Sequence, residues 1–208
     1  MKKRLTLLLL LAAVMQLGWA QNTVESIRKR YADNKDYIAT HQGDNANDGA
    51  EWGEYYHLEV SQFLPATGGH KEDVYMYFDE REEDKIYPSH YITFATKKYN
   101  FAAREYYEEY MFDSNGSVAF IYAYDPMWTP DENGADEQYE FRFYLNKGKL
   151  LKAIVKKRAE DNLPFTEVFS GATLKPAYSD VLEARKDTAE KIKQLFVTIE
   201  EDAYNYGE

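Results

Sequence analysis

The sequence predicts an α+β fold: a twisted antiparallel sheet of about six to eight strands, flanked by an N-terminal helix and a long C-terminal helix. Three observations predict it. Strand-like runs recur through the middle of the chain, separated by turn residues. Two of those runs are joined by Ser114-Asn115-Gly116 and two by Asn146-Lys147-Gly148, both hairpin grammar. Helical periodicity appears only at the two ends.

The N-terminal helix is expected over about Thr23 to Ala39. Asn22 with Glu25 resembles a capping pair, and Val24, Ile27, Tyr31 and Ile38 approximate one face. A polar loop over 40–54 follows, rich in Gly, Asn and Asp. Strands are expected at 55–64, 73–79, 90–98, 103–113, 117–125, 137–145 and 149–157, with a shorter one near 164–170. The C-terminal helix is expected from about Ser179 to Ala203, with Val181, Leu182, Arg185, Ala189, Ile192, Phe196 and Ile199 along one side. No Gly/Ser-rich or Pro-rich linker divides the chain, so residues 21–208 are expected to form one domain.

The first twenty residues read as a signal peptide. Lys2, Lys3 and Arg4 precede an apolar run from Leu7 to Met15, and Gly18 and Ala20 suit cleavage before Gln21. The run is too short to cross a bilayer comfortably, so no membrane insertion is expected after its removal. Without its three basic residues, the net charge of −11 becomes −14. Such a surface disfavours nucleic acid. The chain has no cysteine, which excludes disulfides and thiol chemistry. A periplasmic or secreted location follows as the expectation.

Both hairpins are expected to close through three-residue loops, pairing Asp113 with Ser117 and Leu145 with Lys149. In the second hairpin this register gathers Tyr139, Phe141, Phe143, Leu145, Leu151, Ala153 and Val155 on one face, with Leu150 on the other. In the first it gathers Tyr106, Tyr110, Phe112, Val118, Phe120, Tyr122 and Tyr124 on one face. Such a face either lies beneath a helix or binds a ligand. Trp52 and Trp128 fall in expected loops, where aromatics bind sugars or partners or fold back as anchors. The candidate binding residues are therefore Tyr106, Tyr110, Phe120, Tyr122, Tyr124, Trp52 and Trp128.

No catalytic constellation is legible, and no cofactor or metal is expected. There is no H-E-x-x-H, nucleophile elbow or phosphate loop. His57 and Glu59 share a strand face, but two ligands of this kind do not define a metal site. The acidic stretches 43–54 and 131–137 lack the ligand order of an EF-hand, leaving at most weak calcium binding.

The phrases Tyr110-Met111-Phe112-Asp113-Ser114-Asn115-Gly116 and Phe143-Tyr144-Leu145-Asn146-Lys147-Gly148-Lys149-Leu150 carry a resemblance. Over residues 103–157 the chain resembles small exported bacterial proteins of unassigned function that pair an N-terminal helix with an aromatic antiparallel meander. The resemblance implies a fold style and no active-site residues.

The functional expectation is a non-enzymatic exported protein that binds a small molecule, glycan or protein through aromatic side chains. The alternatives are an interaction or inhibitor module, and a carboxylate-dependent hydrolase acting on glycan or peptide.

Overall fold

The computed structural model describes residues 23–41, 55–82, 89–130 and 137–205. The segment 1–20, Trp52 and the acidic stretches 43–54 and 131–136 lie outside them. Helix α1 spans Val24–His41. Eight strands follow: β1 Tyr55–Leu64, β2 Gly68–Glu80, β3 His90–Phe101, β4 Arg104–Phe112, β5 Val118–Trp128, β6 Glu137–Asn146, β7 Lys149–Arg158 and β8 Thr166–Gly171. Helix α2 closes the described chain at Pro176–Asn205. The strands form one antiparallel sheet in sequence order, each bonded to its successor. No helix among the described residues is long and apolar enough to cross a membrane.

The helix starts follow local chemistry. Thr23 caps α1: its Oγ1 accepts from Ser26 N at 3.1 Å, and Ser26 Oγ accepts from Thr23 N at 2.9 Å. This is one residue later than the pair expected at Asn22 and Glu25, and Ser replaces Glu as the reciprocal partner. Pro176 opens α2, where its missing N–H costs no helical bond.

The two helices cover opposite faces. Beneath α2 lie Met76, Ile92, Tyr110, Phe112, Ile121, Phe141, Phe143 and Val155, against Leu182, Ala189, Ile192 and Phe196. Beneath α1 lie Tyr77, Phe94, Met111, Phe120 and Tyr144, against Ile27 and Ile38. Both expected helix faces are the ones that pack. Ile27 is wholly buried, and burying such a side chain contributes about 1.5–3 kcal/mol.

The loop at 114–116 closes as expected. Asp113 N donates to Ser117 O at 2.9 Å, Asp113 Oδ1 accepts from Asn115 N and Ser117 N, and Gly116 has a φ of 74°. Beyond the turn, however, an irregularity between Met111 and Phe112 shifts the register, and Tyr110 pairs with Ile121. The expected single aromatic face is therefore divided. Tyr106, Tyr110, Phe112 and Val118 lie on the α2 side, and Phe120, Tyr122 and Tyr124 on the α1 side. One extra residue in a strand exchanges the faces of everything past it.

The second turn differs as well. Asn146 pairs with Lys149 and Leu145 with Leu150, so the loop is the dipeptide Lys147-Gly148. Both residues are left-handed, with φ of 49° and 75°. A shift between Tyr144 and Leu145 then puts Leu150 on the α2 side and Leu151 on the α1 side, the reverse of the expectation. Lysine at the first position is strained, whereas asparagine tolerates that conformation. Lys147→Asn should raise stability by about 0.5–1 kcal/mol, read as a higher urea midpoint at unchanged slope.

Candidate functional site

Strand β4 carries consecutive buried acids, Glu108 and Glu109. Alternation sends one to each face of the sheet. On the α2 side, Arg185 Nη1 lies 2.5 Å from Glu108 Oε1. Tyr99 donates to the same oxygen at 3.1 Å, and Tyr110 donates to Oε2. On the α1 side, Glu109 Oε2 accepts from Tyr31 at 2.5 Å. Its Oε1 accepts from Lys35 at 2.7 Å and from Tyr107 at 2.8 Å. Each acid thus meets one helix cation and two phenols. Burial, helped by the adjacent carboxylates, pushes the Tyr31, Tyr107 and Tyr110 hydroxyls well above the usual phenol range. They remain proton donors, and none is prepared as a tyrosinate nucleophile.

Helix α1 lies over the row Tyr77, Phe94, Met111, Phe120 and Tyr144. The register places two further rows beyond it on the same face. The first holds Tyr75, Thr96, Glu109, Tyr122 and Arg142. The second holds Asp73, Lys98, Tyr107, Tyr124, Glu140 and Lys156. Tyr107, Tyr122 and Tyr124 are half-buried there. Their rings are held in place by their hydroxyls. Tyr122 donates to Glu140 Oε1 at 3.1 Å, beneath the Arg142 guanidinium at 5.2 Å from its ring centre. Tyr124 bonds Gln138 Oε1 at 2.9 Å and meets the edge of Phe165, over which Arg158 sits at 4.5 Å. The result is a surface of fixed aromatic rings interleaved with carboxylate, amide and guanidinium groups.

The remaining expected site residues fall elsewhere. Tyr110 is fully buried under α2, and Phe120 is buried between Tyr31 and Tyr144. Tyr106 stacks on Tyr99 at 4.9 Å on the α2 side. Trp128 ends β5 and packs edge-on against Tyr139 and Phe141 at 4.7 and 5.2 Å, which makes it an anchor of its connection. The structure therefore brings together Tyr122 and Tyr124 and adds Tyr107, the cross-strand neighbour of Tyr124, which was not among the expected site residues.

Two other constellations are visible. His90 Nδ1 lies 3.0 Å from Glu200 Oε2, and Tyr56 donates to Glu200 Oε1. His90 Nε2 faces Glu80 Oε1 at 3.9 Å. These contacts fasten the end of α2 to β1 and β3. A cleft of about 460 Å³ opens between α1 and the rim of β2–β4, with Arg30, Tyr37, Phe78, Asp79 and Tyr91 in its walls.

No family model, curated protein or solved structure matches this chain, so its own side chains carry the functional reading.

Proposed function

We propose that the protein is an exported, non-enzymatic glycan-binding protein that uses the Tyr107, Tyr122 and Tyr124 surface. The observation that carries the reading is the half-buried tyrosine rows on the α1 side, interleaved with Glu140, Gln138, Arg142 and Arg158. Sugar rings present C–H faces to aromatic planes and hydroxyls to charged groups, and both kinds of partner alternate here. A purely apolar ligand would leave the charged groups desolvated. Export rests on the charge and apolar pattern of the first twenty residues.

The test is retention on a panel of immobilised glycans, followed by calorimetry on the glycan retained. Tyr124→Ala should weaken binding about tenfold and leave the thermal midpoint within a few degrees. Tyr91→Ala, in the cleft beside α1, should leave affinity unchanged. Loss of binding in Tyr91→Ala with full affinity in Tyr124→Ala would move the site to the cleft. Absence of retention on every glycan would end the reading.

A second reading, an interaction module, is favoured by one observation. The meander brings the β1–β2, β3–β4 and β7–β8 connections to one end of the sheet. Each exposes an apolar side chain there: Phe63 at 79%, Phe101 at 50% and Leu163 at 45%. Apolar side chains exposed along one rim of a sheet offer contact points to a partner.

A further inference from the structure

Metal-binding side chains gather where the tyrosine rows run out onto the outer strands β1 and β2. On the outer strands of the α1 side, His57 and Glu59 lie on β1, and Asp73 on β2 faces Glu59 directly. The three side chains come from positions 57, 59 and 73, and their ligand atoms all lie within 4.8 Å of one another. We propose that these residues form a surface site for a divalent cation of zinc type, with its remaining position open to water or ligand.

Three observations carry this. The first is spacing. His57 Nε2 lies 3.4 Å from Asp73 Oδ1, long for a hydrogen bond to a charged acceptor. Two ligands at 2.0–2.1 Å from a tetrahedral zinc lie about 3.4 Å from each other. The second is orientation. The His57 ring stacks on Tyr75 with centroids 4.0 Å apart and planes 6° apart, so its Nε2 is held towards Asp73 before any ion arrives. The third is charge. Glu59 and Asp73 are like charges directly opposite across the ladder, an arrangement that destabilises a sheet unless something neutralises it. Among the described residues no lysine or arginine does so. Lys98, the other cross-strand neighbour of Asp73, reaches Glu105 instead, at 3.1 Å.

The donor set selects the ion class. One imidazole and two carboxylates suit zinc and its first-row neighbours, whereas calcium and magnesium prefer oxygen-only shells. Three protein ligands leave one tetrahedral position unfilled.

The experiment is calorimetric titration of the metal-free full chain with Zn²⁺, with Mg²⁺ as comparison. One equivalent of zinc should bind, and Mg²⁺ should neither bind there nor compete. His57→Ala, Glu59→Gln and Asp73→Asn should each weaken zinc binding at least about tenfold. His70→Ala, whose ring is held by Asn100 and Glu72, should bind as the parent does. All three ligands lie on the outer strands and are at least partly exposed, and circular dichroism should show each variant folded. Cobalt substitution should give the intense visible bands of a tetrahedral ion, lost in His57→Ala. No stoichiometric binding, or equal affinity in parent and His57→Ala, would overturn the proposal.

Discussion

Arg185→Met should lower the free energy of unfolding by about 3 kcal/mol, measured by urea denaturation. The Glu108 side chain is 2% exposed and Arg185 19%, so removing the cation leaves a carboxylate where water cannot replace it. The loss comes from stranding that charge more than from losing an attraction. The double variant Glu108→Met, Arg185→Met should therefore recover part of the stability, because both charges leave together. Recovery stays incomplete. Tyr99 and Tyr110 lose their shared acceptor, at about 1–3 kcal/mol for buried donors left unpaired. One feature works the other way: Arg185 Nε is buried without a partner among the described residues, so the parent arrangement already carries a defect that the double variant removes. A single variant within about 1 kcal/mol of the parent would show that solvent reaches Glu108 in the native state.

Glu109→Leu should act on the other helix. It removes the acceptor shared by Tyr31, Lys35 and Tyr107. Lys35 is 39% exposed and can turn to water, so its share of the loss is small. The two phenols are more enclosed, and the expected cost is about 2–3 kcal/mol. The distinguishing readout is local. Amide exchange along α1 should accelerate at least about tenfold relative to the central strands, since this carboxylate holds both Tyr31 and Lys35 and works beside the Ile27 and Ile38 packing and the Arg28–Tyr144 contact. Unchanged protection of α1 would assign its anchoring to the apolar contacts and to Arg28 and Arg30.

Much of the scaffold was legible in the residues. Strand β1 has the bounds its alternation suggested, and both helices present the faces their periodicity marked. What local pattern missed was pairing. The shift beside Met111 exists only between two strands, and no property of Tyr110 alone announces that it sits opposite Ile121. The expected aromatic face failed for that reason, and Tyr107 joined Tyr122 and Tyr124 by the same shift. Strand β2 begins at Gly68, ahead of the expected start at 73, because Leu64 pairs there around a short turn. Glu108 and Glu109 were invisible among 36 acids. Only the partners on two distant helices set them apart. Asp73 was unreadable as a companion to His57 and Glu59 because register, not sequence proximity, joins them.

The meander order has one more consequence, for how the chain loses its freedom. Every strand pairs with the next one synthesised, through connections of two to nine residues. Such closures cost little entropy, and each can form while the remainder of the chain is still unfolded. The helices have no such neighbours. Arg28 on α1 meets Tyr144, 116 residues away, and Glu200 on α2 meets Tyr56, 144 residues away. The long closures of this fold are concentrated in its two helices. The ladder grows by local steps, while the first helix to be made waits for strands that come much later in the chain.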